Sequence, residues 1–277
     1  MGSRSLRWFL RIISGAVLVF LYVPLVVVFL YALTKSSTVS WPPQLLSFEW
    51  FTKAWHDRDI LPALRNSLIV GLWATTIALA LGTLASFAMA RARFFGRDTI
   101  SFALVLPIAF PGIVTALALS SMVDAMPGLN FGVPAIIIGH ATFCVVVVFN
   151  NVVARLRRTS GSIIDASMDL GADGITTFRY VTFPTIRTAL VAAALLAFGL
   201  SFDEIVVTIY LSGTDTTLPL WIYSNITRPQ DQPEVFAVAA VVLLISIIPV
   251  YIAIRLAGDG ALRPSSQTQI TGGARAL

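Results

Sequence analysis

Two acidic residues, Asp203 and Glu204, stand side by side in a stretch that is otherwise largely apolar from Thr188 to Leu211. A carboxylate at membrane depth is costly and usually faces a cavity or a partner group. At about 100° per residue, Ser201, Glu204, Thr208 and Ser212 share one face of a regular helix. That polar face is the candidate lining of a solute pathway, where a carboxylate would attract a cation. Asp203 points away from it and would bond to a neighbouring helix or to backbone. A second reading gives Glu204 a structural hydrogen bond or a gate contact. His140 and Asn150-Asn151 lie in another apolar run. A lone membrane histidine more often joins helices than holds a ligand. No His/Cys/Asp group has metal spacing, and no nucleophile–base set is arranged for catalysis. Cys144 is the single cysteine, so the chain has no internal disulfide or redox pair.

A second informative stretch runs from Arg155 to Arg187. Ser160 or Ser162 can cap a short helix, with Asp165 in its early turns, where negative charge suits the helix dipole. Gly171 fits its close. A second short helix from Ile175 is expected to end before Pro184. The first helix would show Ile163, Ile164, Met168 and Leu170 to water. Ala166, Ser167, Gly171 and Ala172 would let another surface come close. An apolar helical face of this kind docks into a groove, or it folds back on its own bundle; composition leaves both open.

These groups need apolar elements to position them. The chain has 277 residues, 57% of them hydrophobic and 12% charged. Soluble domains carry about twice that charge. A spanning helix needs about 20 mostly apolar residues. Six stretches qualify, from Phe9 to Leu33, Leu64 to Ala90, Ile100 to Met122, Pro134 to Val153, Thr188 to Leu211 and Val235 to Arg255. Pro24, Pro107, Pro111 and Pro249 fall inside spans and predict kinks rather than breaks. The first run is longer than a signal-peptide core and lacks a small-x-small cleavage site, so it reads as a helix that stays.

The basic residues set the orientation. Fourteen Arg residues (Arg4, Arg7, Arg11, Arg91, Arg93, Arg97, Arg155, Arg157, Arg158, Arg179, Arg187, Arg255, Arg263 and Arg275) fall on the side of both chain ends. Lys35, Lys53, Arg58, Arg65 and Arg228 fall opposite, which accounts for all 19. The richer side is expected to be cytoplasmic. The net charge of +5 is then a topology signal and not a nucleic-acid footprint. The long loop from Thr34 to Ala63 carries Trp41, Trp50, Phe51 and Trp55, suited to the headgroup level. The organisation expected is residues 1–63 as a first helix and outer loop, 64–256 as a core with the loop 155–187, and 257–277 as a disordered tail.

Several motifs resemble one family. Asp165-Ala-Ser-Met-Asp-Leu-Gly-Ala172, with Phe178 and Phe183-Pro184, looks like the EAA loop of ABC importer permeases. Asp165 and Ser167 replace the usual Glu and Ala, keeping charge and small size. Leu106-Pro-Ile-Ala-Phe-Pro-Gly-Ile-Val-Thr115 resembles the family's proline-rich helix. Ser201-Phe-Asp-Glu-Ile-Val-Val-Thr208, Leu218-Pro-Leu-Trp-Ile-Tyr-Ser224 and Ala63-Leu-Arg-Asn-Ser-Leu68 resemble the spermidine/putrescine subgroup.

The resemblance implies an all-α, multi-pass permease of the type I importer fold and a small solute, of polyamine type. It also implies a second, related permease chain, two ATPase subunits and an extracytoplasmic solute-binding protein. Asp165, Ala166, Ser167, Met168, Asp169, Leu170, Gly171, Ala172, Phe178 and Pro184 would couple to the ATPase. Ser201, Asp203, Glu204 and Thr208 would line the pathway. The chain has no Gly-x-x-x-x-Gly-Lys-Ser/Thr loop, so ATP and magnesium would bind the partner subunits. Close relatives of the subgroup carry iron, phosphonates or other solutes. An ion-driven secondary transporter would instead predict acids or broken helices in both halves, and a membrane enzyme would need a catalytic set.

Overall fold

The computed structural model describes residues 4–44, 47–91 and 95–261. They form α1 (Arg4–Ala32), α2 (Glu49–His56), α3 (Ile60–Arg91), α4 (Arg97–Ala109), α5 (Gly112–Ala125) and α6 (Val133–Arg158). These are followed by α7 (Gly161–Asp169), α8 (Gly174–Thr177), a π turn (Phe178–Thr182), α9 (Phe183–Phe202), α10 (Val206–Leu211), α11 (Leu218–Ile226) and α12 (Gln232–Ala261). The architecture is an all-α bundle. Arg93, Arg263, Arg275 and the tail from residue 262 onward lie outside the described residues. Helix α12 runs to Ala261.

Among the described residues, four helical stretches are long and apolar enough to cross a membrane: α1, α3, α6 and the continuous run Gly174–Phe202. The pair α4 and α5 makes a fifth, bent by 102°. The sixth expected span is α12, 30 residues long, and the sequence is largely apolar from Val235 to Ile254. Pro24 leaves α1 continuous, and Pro107 lies inside α4. Pro111 does more than kink its span. It stands at the start of α5 with ψ 132°, after Phe110 in extended backbone. The residue before a proline is pushed out of the α region, and Phe110 and Pro111, both with extended ψ, turn the chain.

The core forms around α6. Of its apolar window 61% is buried inside the chain, against none of that of α1. Val148, Val152, Cys144 and Ile136 of α6 meet Val70 and Ala78 of α3 and Ala193 and Ala197 of α9. Small residues permit this closeness. A Cβ on Gly82 of α3 would sit 2.9 Å from the Val145 carbonyl of α6, and one on Gly139 would sit 2.5 Å from Leu211 of α10. The Ser86 hydroxyl bonds the Gly82 carbonyl at 2.7 Å and reaches the Phe149 carbonyl of α6 at 3.1 Å.

Two expectations for the fifth span fail together. The short helix from Ile175 does not end before Pro184 but runs through the π turn into α9, where Pro184 lies in the first turn. Proline removes a donor and crowds the carbonyl four residues back. That residue, Tyr180, lies in the π turn, whose wider ring accommodates both. At its other end the helix stops at Phe202 rather than Leu211, and α10 restarts after Ile205. The expected single helix from Thr188 to Leu211 is therefore broken at the two acids.

Candidate functional site

The loop between α6 and α9 is built from its own caps. The Ser160 Oγ accepts the Ser162 N–H at 3.3 Å. At the other end Gly171 takes φ +85°. The Gly171 N–H bonds the Met168 carbonyl at 2.9 Å, and the Ala172 N–H bonds the Ser167 carbonyl at 3.1 Å. This pair of bonds is a Schellman close, and it needs the left-handed residue that glycine supplies. Asp165 lies beyond the first turn of α7, so it gains little from the helix dipole. Asp173, a cap the sequence reading passed over, accepts the Thr176 N–H at 2.8 Å and starts α8. That bond holds its carboxyl below the ordinary range.

The loop faces both ways. Ile164 is buried, against expectation, and Ser167 and Thr177 join their hydroxyls at 3.1 Å. Phe178 sets its ring against Phe87 of α3 at 5.8 Å and Phe183 at 6.2 Å. These contacts and the Arg155 Nε bond to the Thr185 carbonyl, 2.9 Å, tie the loop to its own bundle. Ile163 and Met168 stay about half exposed, and Leu170 and Ile175 are 89% and 78% exposed. Asp165, Ala166, Asp169, Gly171 and Pro184 are exposed, and Ala172 is half-buried. Apolar side chains set on capped, fixed backbone form a ridge with no covering group among the described residues.

The polar face expected on the fifth span is divided by the break. Ser201 and Thr208 are buried and both meet His140 of α6. The His140 Nδ1 lies 2.8 Å from the Ser201 Oγ, and Nε2 lies 3.0 Å from the Thr208 Oγ1. The Thr208 hydroxyl donates its proton to the Glu204 carbonyl at 2.8 Å. It therefore accepts from Nε2–H, which leaves Nδ1 to accept from Ser201. One imidazole thus fastens the end of α9 to the start of α10. The Glu204 Oε1 accepts the Val207 N–H at 3.0 Å and caps α10. Asp203 is the exposed member of the acidic pair. Glu204 is half-buried.

Opposite the loop, α3 begins beside α11. The Ser67 Oγ accepts the Leu218 N–H at 2.8 Å, and the Asn66 amide donates to the Thr216 carbonyl at 3.0 Å. Lys53 of α2 pairs with Glu234 of α12 at 2.6 Å. Around them lies a polar cavity of about 370 Å³ that sequence reading missed, because its walls come from residues 53–59 and 216–234. Among the described residues no group of His, Cys, Asp and Glu could hold a metal ion.

Residues 78–259 match the family described as binding-protein-dependent transport system inner membrane component. The chain is 33% identical over 232 residues to the putrescine transport system permease protein PotI of Escherichia coli (strain K12), covering 81% of this chain and 82% of that one. It is 29% identical over 244 residues to the spermidine/putrescine transport system permease protein PotC of Haemophilus influenzae, covering 87% and 93%. Its fold resembles that of a bacterial ABC transporter involved in the import of the acidic polysaccharide alginate. The TM-score is 0.69 at 19% identity, over 94% of this chain and 99% of that one. It also resembles the MetNI methionine ABC transporter, with a TM-score of 0.55 at 18% identity over 72% and 94%. A bundle of apolar helices, a capped loop with an apolar ridge at one end and a family match over most of the chain agree: this protein belongs to the binding-protein-dependent inner membrane components, the permease subunits of ABC importers.

Proposed function

We propose that this permease forms half of a pathway for a polyamine of the putrescine or spermidine type. A second, related permease would complete it, and an extracytoplasmic binding protein would deliver the solute. Two ATPase subunits, which bind ATP and magnesium, would drive it. The exposed ridge of Met168, Leu170 and Ile175 carries the reading. Three apolar side chains exposed to water on the capped loop of α7 and α8 lower the free energy by docking in a groove, and this chain lacks a phosphate loop of its own. Asp165 to Ala172, with Phe178 and Pro184, is then the segment that the ATPase pushes. Phe178 passes the motion to α3 through Phe87, and the continuous run into α9 passes it toward the break at Asp203. Closure of the ATPases would tilt these helices between two packed states.

The excess of arginine on the loop side supports a cytoplasmic position for the loop and both chain ends. The substrate class is supported by the putrescine and spermidine/putrescine permeases that the chain resembles. Asp203 is the exposed carboxylate of the broken span and the residue best placed to meet a cation. The test is uptake of labelled putrescine into liposomes by the chain reconstituted with the ATPase, permease and binding protein encoded beside it. Uptake should require ATP, and Leu170→Glu should release the ATPase from the purified assembly. Uptake by this chain alone on an ion gradient would overturn the coupling. ATP-driven uptake of another solute with no competition from putrescine would overturn the substrate.

A further inference from the structure

The first turns of α1 carry Arg4, Arg7 and Arg11. At about 100° per residue the three fall within about 60° of one another, so they form one stripe down a single face of the helix. All three are exposed. Residues three and four apart are neighbours on a helix, so Arg7 stands beside both of the others and their like charges repel. Nothing close in the chain balances them. Helix α1 holds no acidic residue, and the first acid in the sequence, Glu49, lies beyond its other end. The ion pairs among the described residues join Lys53 to Glu234 and Arg228 to Asp231. A counter-anion from outside the chain relieves the repulsion.

The depth of the stripe says which anion. From Ile12 onward α1 carries no charge, and no part of its apolar window is buried inside the chain. A guanidinium on the turn next to such a stretch extends into the headgroup layer while its stem stays on apolar surface. Trp8 marks the same depth. Its exposed ring lies 5.6 Å from the Arg11 guanidinium, and tryptophan is enriched at the membrane–water interface. On the apolar side of the stripe stand Ser14 and Gly15, and a Cβ on Gly15 would meet nothing within 4 Å. The helix surface is therefore low where an acyl chain would lie. Guanidinium groups bind phosphate through paired N–H donors. We propose that Arg4, Arg7 and Arg11 bind the headgroup of an anionic phospholipid, its phosphate between neighbouring guanidinium groups and its acyl chain along Ser14 and Gly15. A lipid fits better than an acidic protein face, because the stripe runs without a gap into apolar helix surface that the chain leaves uncovered. The lipid fastens the end of α1 that lies away from its packing at Ala32. The proposal is independent of the solute carried.

The test uses the importer assembled with its partner permease and ATPase, in vesicles of phosphatidylethanolamine and phosphatidylglycerol. A trace of phosphatidylglycerol with a photoactivatable group beside its headgroup is the probe, and phosphatidylcholine with the same group is the control. Cross-linking to the peptide that holds residues 4–15, read by mass spectrometry, should be at least about fivefold greater for the anionic probe, as one well-placed basic side chain alone supplies. The triple variant Arg4→Gln, Arg7→Gln, Arg11→Gln should bring the two probes to within about twofold of each other. The triple variant Arg4→Lys, Arg7→Lys, Arg11→Lys keeps the charge and should keep at least about half of the wild-type preference. Equal cross-linking of the wild type by both probes would mean ordinary bilayer contact and overturn the proposal. No cross-link from either would mean that a protein surface covers the stripe, and would overturn it too. So would displacement of the probe by inorganic phosphate, the mark of a site for a free anion, or a full preference retained by the Gln triple. The comparison of the two probes needs no variant, so a Gln triple that fails to assemble does not leave the question open.

Discussion

His140 is the residue on which the broken span closes. Both ring nitrogens have partners, one on each side of the break, so the ring replaces the helical hydrogen bonds lost between Phe202 and Val206. Interhelical side-chain bonds in membranes contribute about 0.6 kcal/mol each, rarely above about 1.7. His140→Ala removes two and leaves the Ser201 hydroxyl without a known acceptor. A loss of about 1–3 kcal/mol is expected by denaturant unfolding in micelles, with reduced protection of the α10 amides in hydrogen exchange. Asp173 gives a pH dependence. Its carboxyl titrates lower in the fold than its ordinary value of 3.8, because the Thr176 N–H binds the ionised form. The cap is therefore fully present above that value and is lost as pH falls through the lowered one. Exchange at the Thr176 amide, corrected for its intrinsic rate, should rise in acid. In Asp173→Ala it should be fast at neutral pH. The role of His140 as a helix joiner was legible from its isolation in an apolar run. Its two partners were not, since they become its neighbours only once the helix breaks.

At the scale of elements, closeness and caps decide what is rigid. Gly171 at φ +85° closes α7, and a β-branched residue there is strained by about 1–2 kcal/mol. Gly171→Val should loosen the loop and weaken ATPase association several-fold, while Gly171→Asn, which tolerates the left-handed region, should do so less. Gly82 is constrained from outside. A Cβ there meets the Val145 backbone carbonyl at 2.9 Å, which cannot rotate away. Gly82→Ala should push α3 from α6 and cost about 1–3 kcal/mol, checked by unfolding of the purified chain. The apolar runs located the spanning stretches, because 20 apolar residues have few alternatives to a membrane helix. The ends misled where one residue type carried two meanings. Pro184 reads as a stop, yet the π turn absorbs it. Glu204 reads as part of a polar stripe, yet its place before Val207 is a capping arrangement. Periodicity continues through such a break, since the residues on either side of it, Leu196 to Leu200 and Ile205 to Val207, are mostly apolar. The exposed ridge was legible from composition, whereas the burial of Ile164 depends on α8 and the π turn folding back on α7.

On the scale of the whole molecule, the chain divides by how its parts are held. The α3, α6 and α9 unit is fixed along much of its length by small-residue contacts. The N-terminal part packs on α12 at the end opposite the loop. Ala32 and Trp50 pack on Ala237 and Ala240, Tyr31 stacks on Phe236 at 5.5 Å, and Lys53 pairs with Glu234. The apolar window of α1 has no part buried inside the chain, so lipid or a partner subunit covers it. Trp50 is the largest side chain in this joint, and truncating a buried tryptophan costs about 3–5 kcal/mol where the site cannot collapse. Because that cost falls on the joint rather than on the core, Trp50→Ala should separate the two. Trypsin should cut faster at Lys35, Lys53 and Arg58, while the melting of the α3, α6 and α9 unit shifts by no more than a degree or two. Equal loss in both parts would mean that the N-terminal helix is a structural member of the core, and that α12 does not act as its tether.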